Sequence, residues 1–464
     1  MKILLIEPPF HRLMGFYRYF YPFGLSSLAA FLKEKGHQIL IYDADHGEKP
    51  AFMTSSELLS VFPKYLEGIK NLNHPIWKEI ETIIKNHKPD LVGITFMSTK
   101  KGSVENIINI SKNIFPQTPV VLGGAHPSIL YKSSFEQTQA DFVIIGEGEQ
   151  TFSELIDYLQ DGKNNFEEIK GLVFKTPEGE IQKTAPRPLI KDLDVLPFPD
   201  RESLYRLESY RPDDLSMIMT SRGCPYNCTF CSSLWEQRVR NRTIPNILEE
   251  IKYLIHKFGT KNIYFKDDTF TINRKRIFAF CDALEQENIK INWECLTRIE
   301  LLDEELILRM RKAGMNYLKI GIETGSPRLL KVSNKKLTLD QIKKGAKLLN
   351  RLNQKWSAFF MIGFPDETKE EIFMTWKLIE EIKPTYVSMS ILVPYPGCQD
   401  YYDLERIGAI HENSNWNLYD PFSLETHFTQ NIKKKEFQEL TVKTMKLVDD
   451  HNFSSEKTSK NDLY

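Results

Sequence analysis

Three of the six cysteines in this 464-residue chain fall within eight positions, Cys224, Cys228 and Cys231, in the run Arg222-Gly223-Cys224-Pro225-Tyr226-Asn227-Cys228-Thr229-Phe230-Cys231. At this cysteine frequency such a spacing arises by chance about once in a thousand chains of this length. Thiolates are the usual protein ligands of iron–sulfur clusters, and three on one loop reach three irons of a cubane while the fourth stays open. An open position is what a catalytic metal centre needs and a purely structural one lacks. Structural zinc takes four ligands, and no nearby Cys or His completes a set. Packing is a poor alternative for thiols on a loop of Gly, Pro and Asn. The spacing therefore predicts a [4Fe–4S] cluster on Cys224, Cys228 and Cys231.

The other cysteines are 281, 295 and 398. Cys281 lies on an amphipathic pattern and is expected in a core. Cys295 ends a strand, and Cys398 follows Pro394-Tyr395-Pro396-Gly397; packing is the expected role for both over an active-site thiol. The first 223 residues contain no cysteine, which excludes a disulfide scaffold.

The element that presents the triplet is a strand. From residue 215 apolar runs at 216–220, 262–265, 291–295, 317–322, 357–362 and 386–392 alternate with helical patterns at 244–258, 274–287, 303–313, 339–352 and 369–382. Six such strands predict a partial barrel of parallel strands, whose reactive groups project from the strands' carboxyl ends. The triplet follows the first strand. Asp268 follows the second, Arg298 the third, Glu323 closes the fourth, and Gly363-Phe364-Pro365-Asp366-Glu367-Thr368 follows the fifth. Helix capping is the competing reading for each of these, since Asp-Glu-Thr suits a helix start.

Residues 1–165 alternate in the same way, with strands at 2–6, 38–42, 91–96, 119–122 and 142–145 and helices near 25–35, 78–87, 101–114, 128–136 and 149–160. This predicts a doubly wound, flavodoxin-like sheet that binds ligands beyond the strands' carboxyl ends. The loops there carry Ser98, Gly123, Gly124, Gly146, Glu147 and Gly148. Glycine lets a ligand approach the backbone closely, although turn geometry and capping also favour these residues. No GxGxxG follows the first strand, which disfavours a dinucleotide. Residues 166–210 read as a linker with a hairpin, 171–175 with 181–184. Residues 401–464 read as a helical extension, polar and frayed from about Ser454; its Tyr401, Tyr402, Trp416 and Tyr419 fit an aromatic cap on the barrel or the lining of a substrate pocket.

CxxxCxxC with an aromatic before the last cysteine resembles the signature of the radical S-adenosylmethionine (SAM) superfamily. The first domain is similar to the cobalamin-binding domain of cobalamin-dependent radical SAM proteins, through Pro8-Pro9, Tyr21-Pro22-Phe23-Gly24-Leu25, Lys88-Pro89-Asp90, Gly123-Gly124-Ala125-His126-Pro127 and Gly146-Glu147-Gly148-Glu149. The resemblance implies SAM contacts from Phe230, Asp268, Arg298 and Glu323, and cobalamin contacts from Ser98, Gly123, Gly124, Gly146, Glu147 and Gly148. The loop after the first strand, Glu7-Pro8-Pro9-Phe10-His11, lacks the DxHxxG of other cobalamin carriers, so the resemblance implies cobalamin without a histidine ligand. His11, His46 and His126 are expected to be surface or loop residues.

Composition narrows the partners. Sixty-one basic and 62 acidic residues nearly cancel, so no polyanion-binding field is expected and nucleic acid is disfavoured. No apolar run of bilayer length is present, and the start reads as a strand, not a signal peptide, so a cytoplasmic location is expected. The resemblance implies methylation of an unactivated carbon of a small molecule, with electrons from a flavodoxin or ferredoxin. Oxidative cyclisation, as in anaerobic Mg-protoporphyrin monomethyl ester cyclase, is the alternative. Methylthiotransfer would need three further cysteines in the first domain. A cobalamin sensor would leave the triplet unexplained.

Overall fold

The computed structural model describes residues 1–17, 20–47 and 53–453; the polar end from Ser454 lies outside them. The chain forms two compact units. One runs to Asp214, apart from a short segment ending at Ser60, and takes in His411–Tyr419; the other holds Leu215–Ile410 and the chain from Asp420.

The first unit is built on seven strands: β1 (Lys2–Glu7), β2 (Gln38–Asp43), β3 (Leu91–Thr95), β4 (Val120–Gly123), β5 (Phe142–Ile144), β6 (Leu172–Lys175) and β7 (Ile181–Lys183). Their order is β2-β1-β3-β4-β5-β6-β7. The first five are parallel, and β6 and β7 add an antiparallel edge. The hairpin expected in a linker therefore belongs to this sheet. Ile3, Leu4, Leu5 and Ile6 are wholly buried, as a parallel strand covered on both faces requires. The order reverses between β1 and β3, and loops at that switch point are free to receive a ligand. A helix Ser55–Lys70 occupies a stretch where the sequence pattern suggested none.

The second unit carries β8 (Met217–Ile218), then a two-residue antiparallel pair, β9 (Ser221–Arg222) with β10 (Arg240–Asn241), then β11 (Asn262–Phe265), β12 (Asn292–Thr297), β13 (Met315–Glu323), β14 (Trp356–Ile362) and β15 (Tyr386–Ile391). The main sheet runs β15-β14-β13-β12-β11-β8 with every neighbour parallel. Alternate residues such as Trp293, Cys295, Val387 and Met389 are buried in the main hydrophobic core, each stabilising by about 1.5–3 kcal/mol for a large side chain. The intervening Glu294, Leu296, Ser388 and Ser390 are only half-buried, so the other face keeps room. The helices between the strands have local reasons to start where they do. Thr243 caps Ile244–Phe258 and Gly259 ends it in a left-handed turn. Thr338 with Gln341, and Thr368 with Glu371, form capping boxes for Leu339–Arg351 and Lys369–Ile382.

Candidate functional site

The cysteine loop leaves the barrel after β8 and is anchored at its root by a buried carboxylate. Asp267, at the end of β11, accepts from the Thr220 backbone N–H (3.1 Å), from the Thr220 hydroxyl (2.8 Å) and from the Ser221 hydroxyl. Its neighbour Asp268 stays exposed, with its carboxyl raised by partial desolvation and by Asp267. Thr269 places Oγ1 3.5 Å from Cys224 Sγ. Gly223 has a positive φ, and a side chain there would strike the Arg238 carbonyl. Only glycine lets β9 and β10 close around the loop.

The three thiols are free, Cys231 exposed and the other two half-buried. Burial pushes the Cys228 thiol up, and pushes Cys231 up to about 12 with help from Cys228 and Asp268. Among the described residues no three His, Cys, Asp or Glu side chains converge on a single ion. A cubane does not ask for that, because each thiolate takes its own iron. Three unpaired thiols on one glycine-rooted loop are a donor set that fits a [4Fe–4S] cluster.

The sequence-predicted SAM residues gather at the same strand ends. Phe230 packs on Leu329, Phe364 and Leu392, its ring edge-on to Phe364 at 6.2 Å. This joins the cysteine loop to the turn after β14. Arg298 lies over the Tyr226 ring at 3.8 Å, donates to Glu300 Oε1 (2.5 Å) and donates to the Lys335 carbonyl. Glu323 adopts φ 74°, in the left-handed region, beside a register shift between β13 and β14. Lys335 Nζ donates to its Oε1 at 2.6 Å. Lys335 belongs to no motif in the sequence. Glu367 does not simply cap a helix: it is buried and accepts from the Gly363 N–H at 2.5 Å, while Thr368 makes the cap.

Cys281 and Cys295 lie in the core, as expected. Cys398 is buried and its sulfur accepts from the Tyr401 N–H at 3.3 Å, capping the helix Gln399–Arg406. Tyr401 is buried and Tyr402 exposed, whereas Trp416 and Tyr419 belong to the first unit.

In the first unit the loops after β3 and β4 are bonded together. Phe96 N–H donates to the Gly123 carbonyl (2.7 Å) and His126 N–H to the Phe96 carbonyl (3.2 Å). The His126 ring stacks on Phe96 and meets Trp416 edge-on, with Nδ1 2.9 Å from the Ser98 hydroxyl. His126 is thus a buried residue, not the loop or surface histidine expected, and burial lowers its pKa to about 3. His11 is held by Asp45 at 2.6 Å, and His46 stacks on Tyr210 at 3.7 Å. Gly124, at φ 112°, presses on the Phe96 backbone, while Cβ atoms built on Gly123 or Gly146 would meet nothing within 4 Å. Gly148 opens the helix Gly148–Gln160. Glu147 is buried and accepts from the Ile190 N–H at 2.8 Å, a role that turns it toward the protein. The open positions fit a ligand lying close to the backbone.

Two family models match the chain. Residues 16–156 match the B12 binding domain and residues 218–379 the radical SAM superfamily. The chain is 32% identical over 441 residues to the uncharacterized methyltransferase PH0819 of Pyrococcus horikoshii, covering 92% of this chain and 89% of that one. It is 27% identical over 353 residues to the anaerobic magnesium-protoporphyrin IX monomethyl ester cyclase of Rubrivivax gelatinosus, and spans 63% of that protein's length. Its fold is similar to the radical SAM methyltransferase TsrM of Kitasatospora setae, solved with cobalamin and a [4Fe–4S] cluster, at a TM-score of 0.68, 17% identity and coverage of 88% of this chain and 75% of that one. The chain belongs to the cobalamin-binding radical SAM enzymes, whose cofactors are a [4Fe–4S] cluster, SAM and cobalamin.

Proposed function

We propose that this protein methylates an unactivated carbon of a small molecule. The observation that carries the reading is the free thiol triplet at the mouth of a parallel barrel, in one chain with a switch-point sheet whose loops leave Gly123 and Gly146 open. When bound, the cluster with SAM supplies hydrogen-abstracting chemistry and cobalamin supplies the methyl group. Cys224, Cys228 and Cys231 hold the cluster. Asp268, with an exposed carboxylate, accepts hydrogen bonds from the ammonium of SAM, and Arg298 and Glu323 orient its remaining polar groups. Phe230 presents its backbone to the adenine while its ring stays packed on Phe364. Gly123, Gly124, Gly146 and Gly148 admit cobalamin to the backbone, with Ser98 and Glu147 fixing the loops through His126 and Ile190. The electron comes from a flavodoxin- or ferredoxin-like donor in the cytoplasm. Among the described residues no helix is long and apolar enough to cross a membrane.

The test is anaerobic reconstitution with iron, sulfide and cobalamin, followed by SAM labelled in its methyl group, a reductant and candidate substrates. Release of 5′-deoxyadenosine with label in product is the expected result, and Cys228→Ala should abolish both. The cyclase similarity supports a second reading, oxidative cyclisation. Deoxyadenosine formed with an unmethylated, oxidised product would favour it.

A further inference from the structure

Two residues after the carboxylate that anchors the cysteine loop, Thr269 turns its hydroxyl to the first thiol. Its Oγ1 stands 3.5 Å from Cys224 Sγ, within hydrogen-bonding reach of a sulfur, and among the described residues that hydroxyl has no other hydrogen-bond partner. Asp267 and Thr269 are buried and bond to the loop, while Asp268 between them is exposed. Thr269 is pinned on both sides. Asp267 holds Thr220 and Ser221 at the loop root. Phe270 is buried, stacks on Phe265 at 4.6 Å and meets Trp293 at 5.5 Å in the barrel core. A threonine side chain has one torsion, stiff at its branched Cβ, so a fixed backbone leaves the hydroxyl few places to go. The loop is braced as well. Thr229 N–H donates to the Ser333 carbonyl at 3.0 Å, and Asn334 Nδ2 donates to the Asn227 carbonyl and Oδ1 at 3.1 and 2.6 Å.

In the free thiol either atom of the Thr269–Cys224 pair could donate. Iron takes a cysteine as its thiolate, which carries no proton, so with the cluster in place only the threonine hydroxyl can donate. A hydrogen bond to a charged sulfur is charge-assisted and strengthens as the sulfur becomes more negative. Reduction adds one electron to the cluster, taken from the flavodoxin- or ferredoxin-like donor, and the hydroxyl keeps its proton. The bond therefore favours the reduced form, hydrogen bonds to the sulfurs being one of the features that set a cluster's potential. We infer that Thr269 is a positioning residue whose hydroxyl donates to the Cys224 thiolate and raises the reduction potential of the cluster. The inference rests on the cluster reading above.

The experiment is a potentiometric titration of the anaerobically reconstituted full chain without SAM, read by electron paramagnetic resonance of the reduced cluster. Valine at this position keeps the shape and removes the donor, whereas serine keeps the donor and removes a methyl. Thr269→Val is expected to lower the reduced fraction at a fixed ambient potential about tenfold, a midpoint shift of about 59 mV for one electron. Thr269→Ser should stay near the wild type. Electron–nuclear double resonance in light and heavy water should show an exchangeable proton coupled to the wild-type cluster that Thr269→Val lacks. An unchanged midpoint in Thr269→Val, an equal fall in Thr269→Ser, or the same exchangeable couplings in wild type and Thr269→Val would overturn the inference. If Thr269→Val retains no cluster, Thr269→Ala takes its place against Thr269→Ser, and equal midpoints in those two overturn it. Wild-type protein that retains no iron and sulfide would overturn the cluster reading itself, and this inference with it.

Discussion

Replacing Gly223 with alanine should empty the cysteine loop of its cluster while leaving the barrel folded. The new Cβ would stand 2.1 Å from the Arg238 carbonyl oxygen and 3.1 Å from its carbon, backbone against backbone, where no rotamer change gives relief. The residue would also have to hold φ +100°, which costs an L side chain roughly 1–3 kcal/mol. The two contributions are relieved together by parting β9 from β10, a ladder of only two residue pairs, Arg240 with Arg222 and Asn241 with Ser221. Losing one or two backbone hydrogen bonds at about 1 kcal/mol each brings the local cost to about 2–5 kcal/mol. The main sheet pairs β8 with β11 independently of that ladder, so the damage stays in the loop. Gly259→Ala is the control in the same unit, with φ 72° and nothing within 4 Å of its Cβ, and it should cost about 1 kcal/mol and keep its cluster. The assay is iron and sulfide per chain after reconstitution, read beside a thermal melt. Gly223→Ala retaining a wild-type complement of iron would refute the reasoning.

Further substitutions separate packing from binding. Gly124→Ala, at φ 112° and 3.0 Å from the Phe96 carbonyl, should lower the melting temperature of the apoprotein. Gly123→Ala meets no atom within 4 Å and should leave that melt unchanged while weakening cobalamin retention on gel filtration; unaltered retention would remove Gly123 from the binding surface. Burial pushes the Glu367 carboxyl up to about 8, so it stays protonated in the folded state where the unfolded chain, near 4.5, ionises. Its stability contribution is therefore present below about pH 4.5 and is lost as pH rises toward 8, at ~1.4 kcal/mol per unit. Denaturant melts at pH 5.5 and 8 should show this loss in the wild type and much less of it in Glu367→Gln; equal slopes would count against it. Asp267→Asn puts an amide where one carboxylate served three donors, and should cost about 1–3 kcal/mol with loss of cluster retention. An unaltered melt and iron content in that variant would show that the loop root is held by other contacts.

What the sequence displayed and what it hid follow from how each feature is encoded. Parallel strands read as unbroken apolar runs, so β1, β3 and β14 are legible within a residue or two. β8 is shorter than its apolar run because Thr220 and Ser221 turn away to bond Asp267, a partner 47 residues distant for Thr220. The helix Ser55–Lys70 escaped because Pro63 interrupts its pattern. The hairpin β6–β7 was recognised from its turn, but nothing local says which sheet edge it joins. Trp416 looked like part of a barrel cap, and only tertiary packing against His126 assigns it to the first unit. The same division runs through the site. Ligands to the cluster lie on one short loop, so covalent spacing alone brings the three thiols together. The groups gathered around the loop come from the end of β12, from β13 and from the turn at Ser333–Lys336. Arg298, Glu323 and Lys335 span 37 residues, and no periodicity relates them. Reaction type is therefore readable from the loop, whereas the contacts that brace the loop belong to the folded strand ends and to the turn at Ser333–Lys336.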